Sequence, residues 1–237
     1  MYKVIDDQHD FLLVSKFPGV SIHNESDAGL IQQLQADTAD TAYKLWPVHR
    51  LDKATSGLLL CAKNAAAASR FSQAFQQRLV EKYYLALSDR KPNKKQGLII
   101  GDMLRTRKGN WKLAKTQNNP ALTQFFSYGL GNGCRLYLLK PHTGKTHQLR
   151  VALKSIGAGI LGDSRYGIKN SVAEQLYLHA YCLRFQDDNH AYNYYCLPEW
   201  PLGADMQLAF DNVDIPWQAP WRLNWPKLTS AHSNDAY

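Results

Sequence analysis

The chain lacks cysteine pairs. Its four cysteines, Cys61, Cys134, Cys182 and Cys196, are widely scattered and form no CxxC unit. That spacing argues against a zinc site or a disulfide framework, suits a reducing cytoplasm, and leaves the four as buried thiols. Long apolar runs are missing too: none approaches the ~20 residues that span a bilayer, so no membrane partner is expected. The opening residues, MYKVIDDQHD, are acidic and polar, unlike a signal peptide. There is no internal repeat, no low-complexity linker, and no cluster of cysteines, histidines or aspartates at metal-ligand spacing. Neither a metal nor a cofactor is therefore expected.

Acidic residues are scarce in one place. Residues 90–115 carry nine basic side chains (Arg90, Lys91, Lys94, Lys95, Arg105, Arg107, Lys108, Lys112 and Lys115) against one acid, Asp102. That excess of eight equals the formal net charge of the whole 237-residue chain, +8, so the remainder nets zero. Charge concentrated in one stretch suits a polyphosphate partner, because each phosphate contact releases condensed counterions. A solvated lysine-rich loop is the plainer alternative. Trp111 among the bases offers a face for stacking, or equally a core residue of a strand.

The hydrophobic fraction of 45% and charged fraction of 20% are ordinary for a globular chain, and the length suffices to bury a core without staples. Phe11–Lys16 and residues 57–62 (GLLLCA) read as buried strands. Asp27 is placed to cap a short helix with Leu30, Ile31 and Leu34 on one face. Asn64 stands at an N-cap before the alanine-rich stretch 65–79, whose Phe71, Phe75 and Leu79 recur on one face. Residues 83–88, 121–128, 134–140 and 176–185 read as further strands, the middle pair joined by a turn at Gly129–Gly133. Thr146–Ile156 fits a helix with Leu149, Leu153 and Ile156 inward. This interleaving predicts an α+β fold with a mixed, mostly antiparallel sheet and flanking helices. Residues 198–237, rich in Trp and Pro, form an extension that wraps the domain, with a frayed end.

One segment stands out chemically. In HRLDKATSGLLL, residues 49–60, a His, an Arg and an Asp fall within four positions directly before a buried strand. Charged groups at the mouth of such a strand are often catalytic, although a turn with Asp52 capping backbone and pairing with Arg50 reads equally well.

That segment resembles the signature of the RluA-type pseudouridine synthases of the RsuA/RluA superfamily, an HRLD-x-x-TSG string around a catalytic aspartate. EKYYLAL (81–87) is similar to the family's K-x-Y-x-A strand, with Lys82, Tyr84 and Ala86 in register. PHTGKTHQLRVAL (141–153) resembles its TGRTHQIR motif, and GDSRYG (162–167) and LHA (178–180) follow in order. FLLVSKFPGVSIH is similar to its KPxG segment. The motif-bearing part spans residues 11–185. Lys145 stands where the family usually has Arg, Ala152 where a His is common, and Phe17 displaces the proline by one position. None of these departures touches Asp52, Tyr84 or Arg150; they bear on substrate choice.

The resemblance implies a pseudouridine synthase using Asp52, Tyr84 and Arg150 on RNA. Isomerising uridine means breaking the ribose–nitrogen bond, rotating the base and rejoining through carbon. An ionised carboxylate serves as nucleophile or base, on ribose or ring, and the residues leave that choice open. Asp52 needs a cation to stay ionised in a dry pocket. On a helix from Thr146, His147, Arg150 and Lys154 line one flank, so Arg150 is placed to pair with Asp52, as the resemblance also implies. Tyr84 is expected to stack on uracil or handle a proton. His49, His147 and His179 read as structural. A stacked target must be flipped out, and the family's mode of action assigns Arg50 to the vacated space.

The expectation is a single catalytic domain over residues 1–237, with no room for an RNA-binding module upstream of His49. It acts as a monomer on structured ribosomal or transfer RNA through Arg50, Arg105, Arg107, Lys108, Lys112, Lys145 and Lys154. A non-catalytic RNA-binding protein on the same fold and a nucleoside hydrolase-like enzyme are the rivals.

Overall fold

A computed structural model describes residues 1–23, 29–38, 44–167, 173–187 and 190–228. In chain order these form β1 (Tyr2–Asp7), β2 (Phe11–Lys16), α1 (Leu30–Asp37), β3 (Trp46–Pro47), β4 (Ser56–Ala62), α2 (Ala65–Gln76), β5 (Glu81–Ser88) and β6 (Gln96–Arg105). There follow β7 (Trp111–Leu113), β8 (Pro120–Gly131), β9 (Cys134–Pro141), α3 (Gln148–Ser155), β10 (Leu178–Asp187), β11 (His190–Tyr195) and α4 (Ala204–Asp211). Two compact units result. The first takes Met1–Val80 and His179–Pro198, the second Glu81–Leu178 and the segment from Glu199 onward.

In the first unit β2 lies antiparallel between β1 and β4, β4 runs parallel to β10, and β11 returns antiparallel on β10. Every residue of β2 and of β4 is buried, which is why both read as continuous apolar runs rather than as alternation. Phe11 is the centre of the packing, edge-on to Phe71 and Phe185 at 5.7 Å each. Gly57 permits the parallel pairing: a Cβ there would meet the Ala180 carbonyl oxygen at 2.2 Å, with φ already at +109°.

Asn64 caps α2 as expected, accepting from Ala67 N–H at 2.8 Å. The helix stops earlier than the periodicity predicts. Arg78 adopts φ +62°, its N–H bonds Phe75 O, and Leu79 N–H bonds Ala74 O, a Schellman ending with a non-glycine at its left-handed position. Leu79 is therefore 57% exposed rather than in the core, while Phe71 is buried and Phe75 packs partly against the core. The residue capping α1 is Gly29; Asp27 lies outside the described residues.

The second unit pairs β5, β9, β8, β6 and β7 in that order, all antiparallel. β8 and β9 form the expected hairpin, turning at Asn132–Gly133. α3 begins at Gln148, two residues later than Thr146, because His147 is left-handed at φ +57°. Six of its eight residues are buried, and Ile156, just past its end, is half-buried rather than inward. The C-terminal segment packs within this unit: Trp225 lies 4.8 Å from Phe126 and 5.7 Å from Tyr83, and Phe210 stacks on Trp217 at 5.3 Å. The α+β class, with one parallel pair among antiparallel pairings inside the units, is the predicted one. No helix among the described residues is long and apolar enough to cross a membrane.

Candidate active site

The loop bearing Asp52 enters β4 under three backbone constraints. Val48 and Leu51 are buried and tether its start. His49 Nε2 accepts the Leu60 N–H at 3.0 Å, and its ring stacks on Phe75 at 4.3 Å, the structural role expected of it. Thr55 N–H donates to Asp52 O at 3.0 Å, closing a turn that leaves the Asp52 side chain half-buried. Arg50 points outward, exposed, with no hydrogen bond or ion pair of its own among the described residues.

A residue that the sequence-based site assignments leave out completes this loop. Lys16, at the end of β2, is fully buried. Its ammonium donates to the carbonyls of Phe17 (3.0 Å), Val20 (2.9 Å) and Lys53 (3.0 Å), so its three N–H groups match three acceptors. It thus fastens the Pro18–Gly19 turn to the residue after Asp52. Burial pushes its pKa down to about 7, and the charge of Asp52 works in the opposite sense.

In the second unit Tyr84 sits on β5 opposite Leu139 of β9. Its neighbour Tyr83 is fully buried on the other face, beneath Trp225, so alternation turns Tyr84 the opposite way. Arg150 on α3 is 6% exposed, and Asp163 holds it bidentately: Nε to Oδ2 at 2.8 Å and Nη2 to Oδ1 at 2.7 Å. Asp163 also accepts the N–H groups of Arg165 (2.9 Å) and Tyr166 (3.0 Å). Burial alone would raise its pKa, but the hydrogen bonds and charge of Arg150 outweigh that and hold the carboxyl below its usual range. In the sequence Asp163 is one letter of GDSRYG, and nothing near it in the chain marks Arg150 as its partner. The preceding Gly162, at φ +72°, has its reason in the same turn, since a Cβ would fall 1.6 Å from Gln175 O.

His147 precedes α3, so the flank predicted for His147, Arg150 and Lys154 is reached differently. All three meet at Tyr166. His147 Nδ1 lies 2.8 Å from its hydroxyl, and Arg150 and Lys154 stand 5.1 and 5.6 Å from its ring centre. Lys145, half-buried, donates to Asn119 O at 2.6 Å and Oδ1 at 2.8 Å.

The basic stretch includes an antiparallel hairpin, β6–β7, with a tight turn at Arg107–Gly109 as its tip, Lys108 left-handed at φ +58°. Arg105, Arg107, Lys108 and Lys112 are all exposed on it. Asp102, the lone acid, is buried at its base, accepting the N–H groups of Asn118 and Asn119. Trp111 is half-buried, and its N–H donates to the Tyr166 hydroxyl at 3.0 Å. Arg165 adds a further cation beside the tip: its Nη1 is 4.0 Å from where a Cβ of Gly109 would be.

His179 is a buried structural residue as expected, within hydrogen-bond reach of Ser56 Oγ (2.8 Å) and Cys196 O (2.9 Å), and burial lowers its pKa to about 4. Cys61, Cys134 and Cys182 are buried thiols, Cys196 half-buried. Among the described residues no group of three or more His, Cys, Asp or Glu side chains is arranged to hold a metal.

Comparison with known proteins places this geometry in a class. The family profile described as RNA pseudouridylate synthase matches residues 10–155, and the chain belongs to that family. It is 47% identical over 213 residues to an uncharacterized RNA pseudouridine synthase of Haemophilus influenzae, covering 90% of this chain and 95% of that protein. It is 33% identical to the ribosomal large subunit pseudouridine synthase C of Rickettsia bellii, over 76% of this chain and 62% of the relative. Among solved structures, human RNA pseudouridylate synthase domain containing 1 superposes with a TM-score of 0.72 at 29% identity, covering 84% of each chain. The type is RluA, and the activity is the isomerisation of uridine to pseudouridine in RNA.

Proposed function

We propose that the enzyme modifies uridine in structured ribosomal RNA, with Asp52 as the catalytic carboxylate and Tyr84 and Arg150 as further catalytic residues. The observation that carries this reading is the fixing of the Asp52 loop. A buried lysine, a histidine and a turn hydrogen bond hold one half-buried carboxylate at the entrance to a fully buried strand. Preorganisation of that kind suits a group that must meet a reacting centre in one geometry. Ribosomal RNA is favoured because the Rickettsia relative is a large-subunit enzyme. Arg50, exposed and uncommitted, suits the vacated stack once the target is flipped. The exposed bases of the β6–β7 hairpin, with Lys154 on α3, supply phosphate contacts. Lys145 joins them through the N–H that Asn119 does not take.

The test is to map pseudouridines in host RNA from cells lacking the gene, cells complemented with it, and cells complemented with Asp52→Asn. The expected result is one or more ribosomal sites lost on deletion, restored by the wild type and not by the variant. Sites lost only from transfer RNA would overturn the substrate, and restoration by Asp52→Asn would overturn the carboxylate's role.

A further inference from the structure

Tyr166 joins pieces of the second unit that the sequence keeps apart. The residue is 2% exposed. Its hydroxyl accepts the backbone N–H of Trp111, the first residue of β7, at 3.0 Å, and lies 2.8 Å from Nδ1 of His147, the residue that opens α3. A hydroxyl has one proton and two acceptor lone pairs, so both contacts are satisfied at once. Its ring is the aromatic surface beneath the Arg150 guanidinium and the Lys154 ammonium. Its backbone N–H donates to Asp163, the carboxylate that grips Arg150.

We propose that Tyr166 is a positioning residue that sets the basic β6–β7 hairpin against the helix carrying Arg150. The docking of phosphate backbone on the hairpin and the placement of the catalytic guanidinium then share one side chain. β7 is three residues long, and its pairing with β6 is continued by Thr106 N–H to Asn110 O and Ala114 N–H to Asp102 O, so the ribbon sets its own register and the Tyr166 hydroxyl sets its place against α3. The Tyr166 hydroxyl reaches its backbone rather than a side chain, and so holds the strand whichever bases it carries. Trp111 pairs with Arg105, and Lys112 with Leu104, which puts two of the RNA-facing cations beside the latch itself. The inference rests on the reading that the hairpin grips RNA.

The test compares Tyr166→Phe with Tyr166→Leu, each also placed in a background where Arg105, Arg107 and Lys108 are changed to Gln. Tyr166→Phe keeps the ring under Arg150 and deletes the latch. Its KM for RNA should rise about five- to tenfold, the worth of one or two net hydrogen bonds, with kcat held within about twofold. Tyr166→Leu should lower kcat as well. In the triple-Gln background Tyr166→Phe should add almost nothing to KM, because the charges it positions are gone. A merely structural tyrosine would reduce the folded, active fraction and leave KM unchanged, and that outcome overturns the proposal. Additive effects on KM also overturn it. If the triple variant alone keeps the wild-type KM, the hairpin does not grip RNA and the coupling falls with that reading. If the triple variant raises KM and Tyr166→Phe does not, the coupling alone falls.

Discussion

Lys16 and Asp52 are electrostatically coupled within the first unit: burial drives the Lys16 ammonium down to about 7, and the carboxylate of Asp52 is the charge that resists the fall. The three carbonyls around Nζ, one of them the carbonyl of Lys53, require an ammonium to be fully satisfied. The strand end at Lys16 and the Asp52 loop are therefore held as one piece.

A pH signature follows. The folded pKa of Lys16 lies below its ordinary 10.5, so between about 7 and 10.5 the unfolded chain binds a proton that the folded chain does not. Its contribution to stability therefore rises with pH across that window, by up to roughly 1.4 kcal/mol per pH unit. Denaturant unfolding at pH 7, 8 and 9 should show this rise in the wild type and lose it in Lys16→Met. Identical slopes in the two proteins would remove Lys16 as its source.

Asp52→Asn separates chemistry from binding. The variant keeps the shape of the side chain and removes its charge and its reactive oxygen. Turnover should fall to background at any RNA concentration, while affinity holds or rises slightly because a negative charge near the RNA backbone is gone. Single-turnover assays with filter binding and a thermal melt check all three. A folded variant that converts uridine at near wild-type rate sinks the assignment.

Changing Arg105, Arg107 and Lys108 to Gln should flatten the dependence of log affinity on log salt by up to about 2 to 3 units. The three side chains are exposed and none is buried in an ion pair, so folding should be unaffected. A slope equal to that of the wild type would place the RNA elsewhere.

Acid should act through His179. Its folded pKa of about 4 lies below the ordinary 6.5, so the unfolded chain takes up a proton first as pH falls. Stability is fully present above 6.5 and declines between 6.5 and 4, by roughly 3 kcal/mol over the interval. Melting temperatures from pH 7 to 4 should fall more steeply for the wild type than for His179→Gln, whose amide cannot titrate. Parallel curves would assign the acid sensitivity to other groups.

The sequence was legible where local rules decide. β2 begins and ends at Phe11 and Lys16 as predicted, and Asn64 caps α2, because apolar runs and capping side chains act over a few residues. It misled at Leu79, where the four-residue rhythm continues past a stop that Arg78 imposes with no glycine to announce it. The motif strings made Asp52, Tyr84 and Arg150 visible as letters. The partners were harder to see. Asp163 grips Arg150 from a turn thirteen residues away, and Lys16 reads as a polar strand end until three carbonyls from separate positions close around it. Burial of a charge is decided by tertiary neighbours, and the Lys53 carbonyl, 37 residues from Lys16, lies outside any local window.

The parallel pairing of β4 with β10 joins Ser56 and His179, 123 residues apart. During synthesis at about 5 to 20 residues per second, β4 leaves the ribosome roughly 6 to 25 s before its neighbour exists. For that interval the Ser56–Gly57 edge of β4 lacks its β10 partner, while Leu60 and Cys61 already meet Val48, His49 and β3. The nascent first unit thus waits for its last two strands with that short edge open. Anything that slows translation between Glu81 and Leu178 lengthens that wait, and with it the time before His179 reaches Ser56.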